Sequence, residues 1–160
     1  DLPDLILTLP STVSGSISTS ISGQLSNRSL DVSATGVTLD LTGDSDVLIT
    51  SVSIADAAAS CTGLDSANVI CILGTVPAST AMSLGIGLDG GGRASLIASL
   101  SSPDGDYDLA DNDSEVSVDL LASLLESGSR DGGPVPFAFL VLLLCYSGLR
   151  WKISCSQPIR

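Results

Sequence analysis

Between residues 1 and 120, apolar and polar side chains alternate with a period of two, segment after segment. That period places successive side chains on opposite faces of an extended chain, so it predicts half-buried β-strands. Residues 16–25 put Ile17, Thr19, Ile21, Gly23 and Leu25 on one face, and Ser16, Ser18, Ser20, Ser22 and Gln24 on the other. Val37, Leu39 and Leu41 alternate with Thr38, Asp40 and Thr42, and Leu48, Val52 and Ile54 alternate with serines. Met82, Leu84, Ile86 and Leu88 interleave with Ser83, Gly85, Gly87 and Asp89. Leu96, Ala98 and Leu100 follow, then Val116, Val118 and Leu120 opposite Glu115, Ser117 and Asp119. Residues 5–9 predict a first strand that ends at Pro10, and the unbroken apolar run 69–73 (VICIL) predicts a strand buried on both faces. Turn residues separate the segments: Gly43-Asp44, Gly90-Gly91-Gly92 (read as a hairpin) and Pro103-Asp104-Gly105. About eight short strands result, and two antiparallel sheets that each bury one face accommodate them. Residues 120–125 either end the last strand or form a short helical turn, and 126–134 read as a flexible Gly-rich linker.

Composition narrows the function. Hydrophobic residues make up 44% of the 160, enough for a core, but aromatics only 3%, so aliphatic side chains must fill it. The chain has no His, which removes the commonest general base and metal ligand. With a net charge of −12 it repels phosphate backbones, so no nucleic-acid partner is expected. There is no phosphate-cradling Gly loop and no metal-ligand cluster of the usual spacing, and no enzyme activity is expected. The charge is divided: residues 1–127 carry −15 and residues 128–160 carry +3.

Between the acidic body and the basic tail lies the longest apolar run, VPFAFLVLLLCYSGL (135–149). As a helix, its 15 residues span about 22 Å, somewhat less than a bilayer core of about 30 Å. It lacks the polar face of a soluble core helix. Arg150, Trp151 and Lys152 at its end have the pattern of a membrane boundary with the cations inside. The expectation is a single membrane helix at 135–149, a cytoplasmic tail at 150–160, and residues 1–125 outside the cell. Export requires a signal, and since residue 1 is Asp the chain is expected to be a processed form or the C-terminal piece of a longer one.

Two family resemblances add to this reading. The string LSNRSLDVSATGVTLDL (25–41), the Cys61/Cys71 pair with LGTVPAST (73–80) after it, and SSPDGDYDLADNDSEVSVDL (101–120) resemble a bacterial cell-surface repeat of unknown function. The resemblance covers about residues 3–120, although the aromatic usual in the second strand is absent and Asp113 stands where the pattern has a second Asn. It implies an immunoglobulin-like sandwich occurring in tandem, with neighbouring repeat domains upstream. DGGPVPFAFLVLLLCYSGLRWK (131–152) is similar to the Gly-Gly C-terminal sorting signal. That resemblance implies removal of the helix near Gly132 and Gly133 by an intramembrane rhomboid-type protease, rhombosortase. Its basic cluster is thin and residues 153–160 run on beyond it, so a plain membrane anchor is the alternative.

In the position implied by the repeat, and in an oxidising compartment, Cys61 and Cys71 are expected to form a disulfide, two buried free thiols being the alternative. Closing so short a loop stabilises by about 2–3 kcal/mol. Cys145 and Cys155 are expected to remain unpaired. Asp104, Asp106 and Asp108, then Asn112 and Glu115, follow the ligand order of a calcium loop. Leu109 replaces the Gly of its sharp turn, and strands rather than helices flank it, so an acidic solvated loop is the competing reading. Asn27-Arg28-Ser29 and Asn112-Asp113-Ser114 fit the glycosylation triplet, which means little in a bacterial protein.

The sequence therefore predicts an all-β fold, an immunoglobulin-like antiparallel sandwich with a C-terminal transmembrane helix. The expected function is that of a non-enzymatic stalk or adhesion-type module on a bacterial cell surface, held by membrane lipid. A plain Ser/Thr outer face supports the stalk reading. The alternatives are a calcium-stabilised adhesive or carbohydrate-binding domain, and an accessory domain of an exported hydrolase.

Overall fold

The computed structural model describes residues 1–55 and 59–121. Ten strands form two facing sheets: β1 (Leu5–Thr8), β2 (Thr12–Gly15), β3 (Ser18–Asn27), β4 (Ala34–Gly43), β5 (Val47–Ile54), β6 (Ser60–Thr62), β7 (Asn68–Val76), β8 (Thr80–Gly90), β9 (Gly92–Ser101) and β10 (Asp113–Leu120). The four-stranded sheet has the order β1-β3-β8-β5, and the six-stranded sheet β2-β10-β9-β4-β7-β6. The aliphatic residues of the alternating pattern fill the space between them, with Ile21, Leu25, Leu39, Leu41, Ile86, Leu88, Leu96 and Leu120 essentially inaccessible. The expected all-β sandwich is present, with ten strands in place of about eight. The additional ones are β2 and β6, too short for their period to register in the sequence.

The first extended segment divides because Pro10 has no N–H to donate and restricts the residue before it. The chain leaves the four-stranded sheet after β1 and enters the six-stranded one as β2, parallel to β10 with Val13 opposite Val118. At the corner Leu9 lies over Gly23 of β3 so closely that a Cβ there would overlap Leu9 Cδ2 and the Thr8 carbonyl. Gly23 thus leaves room for the corner.

Four expectations are corrected. The alternation at Leu48 has the wrong phase. One extra residue in β5, between Ile49 (opposite Leu88) and Ser51 (opposite Gly87), shifts its phase, so Val47 and Ile49 point inward and Leu48 outward. Ile17 precedes β3 and is exposed. The run 69–73 is not buried on both faces: Val69, Cys71 and Leu73 enter the core while Ile70 and Ile72 face solvent. An antiparallel sheet of a two-layer sandwich has one covered face only. The triple glycine 90–92 is no hairpin, since β8 and β9 belong to different sheets. The chain crosses between layers there, with Gly92 at φ 89° and Gly90 pressed against the Asp46 carbonyl, where a side chain would collide.

Two buried polar residues stand out, Asn27 and Asn112, at 1% and 3% exposure. Asn27 makes four hydrogen bonds. Its Nδ2 donates to the carbonyls of Val32 (2.9 Å) and Val76 (3.2 Å), and its Oδ1 accepts from the N–H of Asp4 (3.3 Å) and Ser29 (3.1 Å). The entry to β1, the β3–β4 connection and the end of β7 are joined through one amide. Both asparagines of the glycosylation triplets are therefore buried.

Candidate functional site

Two surfaces carry distinct chemistry. The first is the outer face of the six-stranded sheet. Ile70 and Ile72 on β7 are 52% and 56% exposed, and Ile97 on β9 is 46% exposed. The strand register sets Ile70 beside Asp40, Ile72 beside Thr38, and Ile97 beside Thr42. Strands β7 and β9 flank β4, and Ile70 and Ile97 are two residues out of level, so they stand about 12 Å apart across it. Further along the same face, β10 adds an acidic margin with Asp113, Glu115 and Asp119. The Ser99 hydroxyl donates to Asp113, and Arg93 bridges Asp119 at 3.3 Å. The outer face of the four-stranded sheet differs. It presents Ser20, Ser22 and Gln24 of β3 beside Gly87, Gly85 and Ser83 of β8, then Ser51 and Ser53 of β5. The expected plain Ser/Thr face thus describes most of one sheet, where Leu48 on the edge strand β5 is the exception, and the other carries exposed isoleucines on two strands.

The second surface is an acidic corner made by the β9–β10 connection, residues 102–112. It folds against the start of β1 because β1 is an edge strand whose outward N–H groups need acceptors. Leu5 N–H donates to Asp106 Oδ2 at 2.9 Å, and Tyr107 N–H donates to the Pro3 carbonyl at 2.9 Å. Asp106 Oδ1 accepts from Asp108 N–H, and Asp108 in turn caps a 3-10 turn, Leu109–Asp111, by accepting from Ala110 N–H. Asp104 is directed away, to Thr35, accepting from its N–H at 2.7 Å and its hydroxyl at 2.6 Å. Those two bonds, the hydroxyl's first, hold the Asp104 carboxyl below the usual carboxylate range.

The five residues of the expected calcium loop do not converge. Asp104 binds Thr35, Asp108 caps the turn, and Glu115 lies on the outer face of β10. Asp106 is instead gathered with Asp4 and Asp111, one carboxylate oxygen from each lying within 4.8 Å of the others. Asp111 is pushed up from the ordinary carboxylate range by burial first and then by the charges of Asp108, Asp4 and Asp106. Asp4 was missed because the sequence spacing that suggests a loop site is local, whereas Asp4 lies over a hundred residues away and arrives through β1; Asp111 was missed because it falls outside the ligand spacing of a calcium loop.

Cys61 and Cys71 are paired, with S–S 2.03 Å and Cα–Cα 4.0 Å. They are direct partners across β6 and β7. The bond fastens a three-residue edge strand to its neighbour. Gly132, Gly133, residues 135–149, Arg150, Trp151, Lys152, Cys145 and Cys155 lie outside the described residues. Among the described residues no helix is long and apolar enough to cross a membrane.

No family model matches the sequence, and no curated protein matches it. Solved structures do resemble it. The sixth cohesin of scaffoldin B from Acetivibrio cellulolyticus, crystallised with a mutant Cel5 dockerin, superimposes with a TM-score of 0.51 at 12% identity, covering 73% of this chain and 99% of that one. This likeness establishes a shared sandwich fold. The cohesin module from a family 33 glycoside hydrolase of Clostridium perfringens superimposes with a TM-score of 0.46 at 9% identity, covering 75% of this chain and 97% of that one. AvmM, described as catalysing macrocyclisation in alchivemycin A biosynthesis, superimposes with a TM-score of 0.44 at 12% identity, over 75% and 88% of the two chains.

Proposed function

We propose that this chain is a non-catalytic, extracellular β-sandwich module of the adhesion type that holds another protein against the outer face of its six-stranded sheet. The observation that carries this reading is the contrast between the two outer faces: exposed isoleucines at 70, 72 and 97 on one, and on the other mainly serine and glycine, with Leu48 on its edge strand β5. Apolar side chains on a solvated sheet face reduce solubility, and their collection on one face is typical of an interaction surface. Asp40 inside the patch and the acids of β10 select a partner with apolar side chains ringed by Lys or Arg. The dockerin-bound cohesin supports the reading through its fold, since it is a sandwich of the same kind that binds a protein. The disulfide supports an oxidising, extracellular compartment. A chain without His, in which Asp106 pairs the edge of β1 and Asp108 caps the 3-10 turn, supports a non-catalytic role.

The finer expectations from sequence belong to the same proposal. The sandwich is immunoglobulin-like and belongs with tandem bacterial surface repeats. Residues 135–149 anchor it, or serve as a sorting signal cleaved near Gly132 and Gly133. Arg150, Trp151 and Lys152 set the cytoplasmic boundary. Apolar length and charge asymmetry are the support for this part.

A photo-crosslinking amino acid placed at Ile72, and in a second variant at Ser22, tests the binding face on producing cells. A discrete protein adduct from position 72 and none from position 22 is the expected result. Adducts at both positions, or at neither, would remove the reading. Deleting residues 137–149 is expected to release the protein from membrane fractions, and retention in the pellet would rule out the anchor.

A further inference from the structure

We infer that the Cys61–Cys71 disulfide is a redox latch on the binding face, which is complete only in an oxidising compartment. The inference rests on the reading of that face as the place where another protein is held, and adds what controls it.

Strand β6 closes the edge of the six-stranded sheet with three residues. Its register places Ser60 opposite Ile72, Cys61 opposite Cys71 and Thr62 opposite Ile70. In an antiparallel ladder, directly opposed residues alternate between two kinds of pair: one exchanges two hydrogen bonds, at about 5.5 Å between Cα atoms, and the other exchanges none, at about 4.5 Å. The two cysteines are 4.0 Å apart, so theirs is a pair of the second kind. The ladder bonds of β6 therefore fall on Ile70 and Ile72, the two isoleucines that β7 presents on the binding face. Thr62 adds a hydroxyl bond to the Ile70 carbonyl at 3.4 Å. The same two residues thus offer their side chains to the face and their backbone groups to β6. On the outer surface Ser60 and Thr62 stand next to them as a rim.

Without the disulfide, little holds β6, because a three-residue edge strand has too few ladder bonds to stay paired unaided. The turn after it is fixed independently of the bond. Ser66 Oγ donates to the Gly63 carbonyl at 2.6 Å and accepts from the Asn68 N–H at 3.2 Å, and Asp65 and Ser66 pair with Ile49 of the other sheet. Opening therefore releases Ser60 to Thr62 and leaves that turn in place. Strand β7 becomes the edge, with the N–H and C=O groups of Ile70 and Ile72 turned to water and the two residues steadied from β4 alone. A partner then has to order a loosened strand as it binds, which costs affinity. A dithiol carries out the reduction by two exchanges. Its first thiolate attacks at Cys61, which is half-buried where Cys71 has no exposure, giving a mixed disulfide and the Cys71 thiolate. Its second thiolate closes the dithiol's own disulfide and displaces the Cys61 thiolate. Two electrons pass to the protein, and the two cysteine thiolates take up the two protons that the dithiol gave up. An oxidised dithiol in an oxidising compartment runs the same steps in reverse.

The test is hydrogen exchange, resolved by residue with NMR, on the full chain before and after treatment with dithiothreitol. In the oxidised protein the amides of Ile70 and Ile72 are expected to be protected. In the reduced protein they are expected to exchange at least about ten-fold faster, while the amides of β8, inside the other sheet, keep their protection. Cys61→Ser is expected to show the reduced pattern without dithiothreitol and no response to it. Control over binding is read on producing cells, by photo-crosslinking from position 72 with reduced or oxidised dithiothreitol added. The adduct is expected to fall at least about three-fold under reduced dithiothreitol. Unchanged exchange at Ile70 and Ile72, or an equal loss of protection in β8, would overturn the latch. Equal adducts in both conditions would overturn its control of the face. Faster exchange on reduction with no adduct in either condition would remove the binding face, and the latch's role there with it.

Discussion

Asn27 and Asn112 are the same residue type and are buried to nearly the same extent. They differ in what surrounds them. Asn27 has four backbone partners drawn from three parts of the chain, while Asn112 has none for its side chain. A buried amide with all its bonds made specifies geometry: it fixes where β1 enters, how the β3–β4 connection turns and where β7 ends. A buried amide with no bonds costs about 1–3 kcal/mol and contributes nothing to fold specificity. One sandwich thus shows a completed structural joint and an open one.

The comparison is broken most severely at its completed side. Asn27→Ala leaves two carbonyls and two N–H groups without their partner, and about 3–5 kcal/mol of stability is expected to go with them. For a domain near 120 residues, that lowers the melting temperature by well over 10 °C, or prevents folding at 37 °C. Scanning calorimetry checks it; a loss under about 1 kcal/mol would mean that water replaces the amide and the joint is no joint. The disulfide provides a covalent yardstick. Cys61→Ser is expected to cost about 2–3 kcal/mol under oxidising conditions, less than Asn27→Ala, and to match wild type when both are measured in reductant. An equal deficit in reductant would assign the loss to packing of the half-buried Cys61.

How much of this was legible beforehand depends on the range over which each feature is encoded. Period-two alternation is a local code, and it located the core faces of β3, β4, β8, β9 and β10 through residues such as Leu25, Leu39, Ile86, Leu96 and Val118. It failed where a local rule met a non-local fact. The extra residue in β5 that turned Leu48 outward is defined only relative to β8. The exposure of Ile70 and Ile72 depends on there being no third layer, and a run of apolar residues cannot report that. The acidic loop drew attention by its spacing, but its charge cluster is completed by Asp4, brought in by β1 pairing with β3. The buried state of Asn112 had no sequence signal beyond its even spacing from Val116 and Val118, a parity that also implied an inward side chain.

At the open side the expected effect is smaller. Asn112→Leu removes an amide that has no partner and substitutes an apolar group of similar volume. Its stability, read from melting curves, is expected to fall within about 1 kcal/mol of wild type, on the stabilising side. A large loss would show that the amide is satisfied by water and that the contrast with Asn27 is false.

The smallest effect concerns Asp104, the acid of the β9–β10 connection that the structure pairs with Thr35 rather than with the cluster. Its carboxyl is held below the usual range by the Thr35 hydroxyl and then by the Thr35 N–H. A group whose folded value is depressed stabilises the fold above its unfolded value, and that contribution disappears as pH falls through the folded one. Thr35→Val keeps the N–H bond and removes the stronger hydroxyl bond, so part of the depression should vanish. The variant is expected to melt slightly below wild type at neutral pH, and the gap should close as pH drops through the acidic range where Asp104 takes up its proton. Asp111 moves in the opposite direction, raised by burial and by the other acids, so protonation favours the native corner. Acidification therefore weakens the tie at Asp104 while relieving the crowding at Asp111. Melting curves of Thr35→Val and Asp111→Asn across about pH 3–6 should both meet wild type at the acid end and part from it at the upper end, Thr35→Val below it and Asp111→Asn above it. Parallel curves would mean that the two acids of this connection share one environment.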